Sequence, residues 1–277
     1  MKTAVLLAGG GSAGIIQAGM IQELVDTGIK PNAVYGTSVG GCNGLMWYQD
    51  ELDLMERFWL KIANSDVRHA GPFEIATAWS RCGFYNYEPL GDTLREISRP
   101  DLQVNPPWDF YVTATNMIQG VPESVNLQSI PAQDRWQWIW ASASPPIITP
   151  PVTLKTGIYY CDGGVLSNIN VKHAVKDGAD ELIILKPKHN PNYDINNIYD
   201  SIMFTLTVSS NSALQNELDI VKILNNCAGY RKVDVHVIEP DVFFPHSILD
   251  FDLGSKKERL ELVQLGRDTF KRCYKAD

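Results

Sequence analysis

At 277 residues with 44% hydrophobic content and no Ser/Gly/Pro-rich linker or charge block, the chain can bury a large core and reads as one domain over residues 1–277. A net charge of −8 and a pI near 5.2 exclude a nucleic-acid binder, which needs a clustered basic footprint, and argue against membrane attraction by bulk charge. The five cysteines are odd in number, widely spaced and never in Cys-x-x-Cys, so they read as reduced thiols of a cytoplasmic protein, with no metal site.

Residues 3–8 are an apolar run too short for a signal peptide and lead straight into glycines, so they read as a first buried strand. No segment approaches the ~18 uninterrupted apolar residues of a membrane span. Gly9-Gly10-Gly11-Ser12-Ala13-Gly14 follows, and then Ile15, Ile16, Gly19, Met20, Leu24 and Val25 at helical spacing: strand, glycine loop, helix. Gly9, Gly11 and Gly14 fit Gly-x-Gly-x-x-Gly, but a dinucleotide site wants an acidic residue at the end of the second strand, and Asn32-Ala33-Val34-Tyr35 offers none. No cofactor is therefore expected.

The second strand ends instead in Gly36-Thr37-Ser38-Val39-Gly40, the sequence form of a sharp strand-to-helix turn that exposes one hydroxyl. Side chains at Gly36 and Gly40 would collide across such a turn. Ser38 then lies at a helix N-terminus, where free amides and the helix dipole favour a developing negative charge. The loop amides before it face Ser38 and can hold an oxyanion. A glycine-rich turn whose serine merely caps the next helix has the same five-residue pattern.

Helical spacing continues over 38–49 and 51–62. Phe73 to Tyr87 is aromatic and poorly periodic, a wall of an acyl pocket or satellite packing, with packing the preferred reading. Asp109 to Thr115 should be a central strand with Ser124 to Leu127 beside it. Asp134 to Ser144 reads either as alternation through Trp136, Trp138 and Trp140 or as a helix. The proline-punctuated run Pro145 to Val152 fits no regular element and is either a rim for a fatty chain or a loop crossing the sheet end. Gly157 to Cys161 is strand-like and delivers Asp162-Gly163-Gly164 at its C-terminal end.

These motifs, Gly9 to Gly14, Gly36-Thr37-Ser38-Val39-Gly40-Gly41, Ala141-Ser142-Ala143-Ser144 and Asp162-Gly163-Gly164, together resemble the patatin-like phospholipases in order and spacing. The resemblance implies a three-layer α/β/α sandwich with a mainly parallel central sheet, and a Ser38–Asp162 dyad that hydrolyses lipid acyl esters. It implies an oxyanion hole from Gly9, Gly10, Gly11, Ser12, Ala13, Gly14 and the Val39 amide, and it selects the helical reading of the tryptophan segment. Three positions depart from the family pattern: Ala13 where Lys or Arg is frequent, Val39 where a small residue is frequent, and Asn170 where proline is frequent. Loss of the first charge argues against an anionic head group. A free carboxylate of pKa ~3.9 is a weak base for an alcohol, but burial raises it and a hydrogen bond lets it take the proton as attack proceeds.

Further on, Val171 to Lys176 is a short helix, Glu181 to Leu185 a buried strand, and Ile198 to Leu224 a helical stripe with a break expected near Ser209-Ser210-Asn211. Val233 to Ile238 alternates as a half-exposed strand, and Lys256 to Tyr274 is an amphipathic helix. His69, His173, His189, His236 and His246 sit among polar neighbours without a signature and read as surface or packing residues. Three functions remain. The leading one is a cytoplasmic serine hydrolase of lipid esters in transient contact with a membrane or micelle. The second is an α/β-hydrolase with a Ser-Asp-His triad through His236 or His246, and the third is a lipid-binding module on the same fold that does not turn over.

Overall fold

The computed structural model describes residues 1–102, 106–155, 157–189, 195–229 and 231–274. Its strands are β1 Thr3–Leu7, β2 Ala33–Thr37, β3 Asp109–Asn116, β4 Val121–Asn126, β5 Val152–Lys155, β6 Ile158–Asp162, β7 Glu181–Leu185 and β8 Asp234–Ile238. The helices are α1 Gly14–Asp26, α2 Val39–Tyr48, α3 Leu52–Lys61, α4 Pro72–Ala76, α5 Ala78–Arg81, α6 Glu88–Ile97, α7 Arg135–Ser142, α8 Val171–Lys176, α9 Ile198–Asn226 and α10 Lys256–Cys273.

The strands form one sheet in the order β5-β6-β3-β2-β1-β7-β8, with β4 also on β3. The run from β3 through β8 is parallel, whereas β4, β5 and β6 pair antiparallel. Helices cover both faces, as in the expected three-layer α/β/α sandwich. Because successive side chains alternate across a strand, Val5, Leu7, Val34, Ile183 and Leu185 pack on one core, under α1, α2, α7 and α10. Ala4, Leu6, Tyr35, Leu182 and Ile184 pack on the other, with Val171 and Ala174 of α8 and Leu214 and Val221 of α9. Two-sided burial is why these strands read as continuous apolar runs.

Register explains where the site forms. β4 pairs with Tyr111 to Asn116 along one edge of β3, so β2 and β6 must share the other edge. On it Thr37 of β2 stands opposite Thr113, and Asp162 of β6 stands opposite the next residue, Ala114. The ends of β2 and β6 therefore meet head to head, and the residues that follow the two strands converge.

Several expectations shift. The second partner of β3 begins at Val121, and Leu127 falls in a 3-10 turn. Val152 starts a strand, β5, that the preceding prolines conceal. The helix α9 runs unbroken through Ser209-Ser210-Asn211, residues that cap helices in isolation but here lie on a 29-residue helix fastened by tertiary contacts. Its Glu217 carboxylate accepts from the Ser167 hydroxyl at 2.7 Å and from the Val171 amide at 2.8 Å. The preferred packing reading of Phe73 to Tyr87 holds for Tyr85 and Tyr87, which pack against core clusters, and fails for Phe73 and Trp79, which are 71% and 95% exposed.

Candidate active site

Strand β2 stops at Thr37 and α2 starts at Val39, so Ser38 alone makes the turn, at φ 55° and ψ −127°. Such a conformation costs a non-glycine residue on the order of 1–3 kcal/mol and needs a surrounding that holds it. That hold is visible. The Ser38 N–H donates to the Ser142 hydroxyl at 2.8 Å, which donates onward to the Thr113 carbonyl at 2.5 Å. The two glycines of the turn are required by close approach: a Cβ at Gly40 would lie 2.1 Å from the Leu7 carbonyl oxygen, and one at Gly36 would lie 2.7 Å from that of Gly40.

The Ser38 side chain and the Asp162 carboxylate line the same cavity, close enough that the hydroxyl pulls the carboxyl pKa down. Asp162 accepts the Gly164 amide at 2.7 Å. Its own N–H donates to the Ser144 carbonyl at 2.8 Å, so one short segment at the end of α7 fastens the backbone of both residues. Burial pushes the Asp162 carboxyl up to about 6, against the opposing pull of the Ser38 hydroxyl and the Gly164 amide. The same burial, with the carboxylate alongside, pushes the Cys42 and Cys161 thiols up to about 12.

Of the amides expected to face an oxyanion, several are committed elsewhere. Gly9 donates to Asn168 Oδ1 at 2.8 Å, Ser12 to the Ile248 carbonyl at 2.8 Å, Ala13 to the Gly10 carbonyl at 3.2 Å, and Gly14 to Gly11 and Ser12. The amides of Gly10, Gly11 and Val39 have no acceptor among the described residues. Gly11 holds φ +54°, which keeps the loop turned toward the serine. The other two serines of these motifs are occupied: Ser12 Oγ donates to the Ser247 carbonyl at 3.0 Å, and Ser142 is fully buried.

Ser38 and Asp162 open into a cavity that reaches solvent. Its apolar lining includes Phe58, Trp59, Ile62, Tyr87, Leu90 and Phe251. Pro145 and Ile148 line it too, so the proline run is a rim of the cavity. The triad candidates stand elsewhere. His236 lies 3.4 Å from Glu181 with its ring against Tyr274, and His246 packs on Phe244. His189, by contrast, lines the cavity.

The family model described as patatin-like phospholipase matches residues 5–175, which hold the glycine loop, the serine turn and the aspartate. The chain belongs to this family. Among its relatives, lysophospholipase nte1 of Aspergillus terreus is 28% identical over 184 residues, covering 64% of this chain and 11% of that protein. Patatin-like phospholipase domain-containing protein 7 of Rattus norvegicus is 24% identical over 210 residues, 72% of this chain and 14% of that protein. The chain thus spans about a tenth of the length of these curated relatives. Of solved structures, VipD from Legionella pneumophila is similar over 98% of this chain and 66% of its own, at 16% identity and a TM-score of 0.48.

Within this patatin-like domain, three site residues escape a reading of the sequence. Ser142 sits in a segment recognisable by resemblance, but its grip on the Ser38 amide depends on where α7 ends. Asn168, six residues after Asp162, reaches back to Gly9. His189 has no local signature and becomes visible only because β7 runs beside β1 and carries it to the glycine loop. Asn170, a departure from the family pattern, holds φ 52° and donates to Thr113 Oγ1 at 2.9 Å, and proline could adopt neither that angle nor that bond.

Proposed function

We propose that this domain is a serine hydrolase of lipid carboxylic esters, phospholipid, lysophospholipid or acylglycerol, working through a Ser38–Asp162 dyad. The observation that carries the reading is the placement of Ser38, at a strained strand-to-helix turn, in one cavity with the buried Asp162 carboxylate, which burial raises to about 6 and the hydroxyl draws down. At neutral pH that carboxylate is ionised yet basic enough to accept the serine proton as the oxygen attacks the ester carbonyl. The tetrahedral oxyanion takes hydrogen bonds from the uncommitted Gly10, Gly11 and Val39 amides, at the positive end of α2. Asp162 returns the proton to the departing alcohol, the acyl group stays on Ser38 Oγ, and a water deprotonated by Asp162 releases the acid. The fatty chain occupies the apolar wall of Phe58, Trp59, Ile62, Leu90 and Phe251.

Transient contact with a lipid surface fits the exposed apolar residues near the rim. Ile147 is 52% exposed beside the cavity-lining Ile148, and the Phe84 amide donates to the Ile147 carbonyl at 3.1 Å, which brings the exposed Trp79 segment to the same loop. No described helix is long and apolar enough to cross a membrane. The test of the reading is labelling with a fluorophosphonate probe and peptide mapping. Modification at Ser38, lost in Ser38→Ala, is expected; an unlabelled folded protein would leave only the lipid-binding module.

A further inference from the structure

The cavity has two kinds of wall. Besides the apolar lining, polar groups gather around Gly9, Gly10 and Gly164. Asn168 Oδ1 holds the Gly9 amide, His189 Nε2 lies 2.8 Å from where a Gly10 Cβ would stand, and Ser210 Oγ lies 3.6 Å from the corresponding position at Gly164. Asn211 follows on the same helix and also lines the cavity.

Among the described residues these groups keep hydrogen-bonding capacity unused. Both ring nitrogens of His189 are buried without a hydrogen-bond partner among the described residues. Asn168 commits its oxygen to Gly9 and leaves its amino group unused, and the side chains of Ser210 and Asn211 make no hydrogen bond among the described residues. Buried polar groups are nearly always paired, so the two His189 nitrogens mark where a polar ligand completes the structure, and the cavity-lining Asn168, Ser210 and Asn211 side chains have capacity left to share it.

Charge narrows the ligand. Burial and the nearby Lys186 hold the His189 imidazole down to about 4, so at neutral pH it is uncharged, with one donor and one acceptor nitrogen. No Lys or Arg lines the cavity among the described residues, and Lys186 is paired with Glu239 at 2.6 Å. A phosphate placed on this wall would meet the Asp162 carboxylate and no cation. A hydroxyl, which both donates and accepts, matches every group present.

We propose that His189, Asn168, Ser210 and Asn211 form a subsite for an uncharged, hydroxyl-bearing leaving alcohol of the glycerol type, which makes monoacylglycerols the preferred esters of this domain. The inference rests on the ester-hydrolase reading, and the experiment separates the two. kcat/KM is measured on a monoacylglycerol, on the lysophosphatidate and lysophosphatidylcholine of the same acyl chain, and on p-nitrophenyl butyrate, whose leaving group has no free hydroxyl. The wild type is expected to favour the monoacylglycerol over both lysophospholipids by at least ~10-fold. His189→Phe should lose at least ~10-fold more on the monoacylglycerol than on p-nitrophenyl butyrate, since a buried partner is lost only for the hydroxylated substrate. His189→Gln, which keeps a donor and an acceptor, should recover much of the loss. Ser210→Ala, on a half-buried helix position that tolerates alanine, should move the same ratio in the same direction. A preference for either lysophospholipid, or equal losses on both esters in His189→Phe, overturns the subsite. Failure of the wild type on all four esters refutes the hydrolase reading and the substrate class with it.

Discussion

Replacing Asp162 by asparagine should make the protein inactive and, at neutral pH, more stable. Burial raises this carboxyl from an ordinary 3.8 to about 6, which is the signature of a charge that folding disfavours. Between those two values the folded state holds a proton that the unfolded chain has released, so stability falls as pH rises through this window. At about pH 8 the full penalty is present, about 3 kcal/mol from a shift of about two pH units, and at about pH 4.5 only about 1 kcal/mol of it remains. Asparagine is neutral at every pH, has nearly the same shape, and keeps an oxygen for the Gly164 amide that now bonds at 2.7 Å. Urea denaturation of wild type and Asp162→Asn at both pH values is the assay. The variant is expected to be more stable by about 1–3 kcal/mol at about pH 8, with the gap shrinking as the pH is lowered. A variant destabilised equally at both pH values would refute the claim that the carboxylate is desolvated, and with it the source of its basicity.

Ser142→Ala should lower both stability and turnover. It orphans the buried Thr113 carbonyl and the Ser38 amide, for a loss of about 2–4 kcal/mol by thermal unfolding, and a loosened turn should cut kcat more than KM. Gly11→Ala should cost folding as well as turnover, because a Cβ at φ +54° would lie 2.0 Å from the Ile248 carbonyl oxygen; unchanged melting and activity would show that the loop can shift. Arg259, buried on α10, donates to the carbonyls of Trp59, Ile62 and Phe251 at 2.8 to 3.2 Å, so Arg259→Met should destabilise by about 3 kcal/mol in the same urea assay.

The pH dependence of turnover is less decisive than the bare sequence suggests. A dyad with an ordinary carboxylate would lose activity near 4, well apart from the ~6.5 of a histidine. With Asp162 lifted to about 6 the two acid limbs nearly coincide, so mutants and not the profile must separate dyad from triad.

What the sequence revealed and what it hid follow from the range of the interactions. The turn at Ser38, the glycine loop and Asp162-Gly163-Gly164 are local, since each is a backbone demand met within a few residues. The division of the loop amides is not local. Beyond the loop's own 3-10 turn at Gly11–Ala13, it depends on Asn168 and on the Ile248 carbonyl, from two distant parts of the chain. Likewise β5 hides behind prolines, and α9 stays helical through serines because Glu217 and the second core hold it in place. Trp79 shows the limit of reading aromatics as core: composition gives their number, but only tertiary placement gives their side of the surface.

The most direct test of the dyad is turnover of one activated ester by Ser38→Ala, Asp162→Asn and the double variant His236→Gln/His246→Gln, each shown to be folded. Ser38→Ala is expected to lose at least ~10⁴-fold and Asp162→Asn at least ~10²-fold, with the histidine double variant within ~10-fold of wild type. An inactive histidine variant beside an active Asp162→Asn would contradict the assignment.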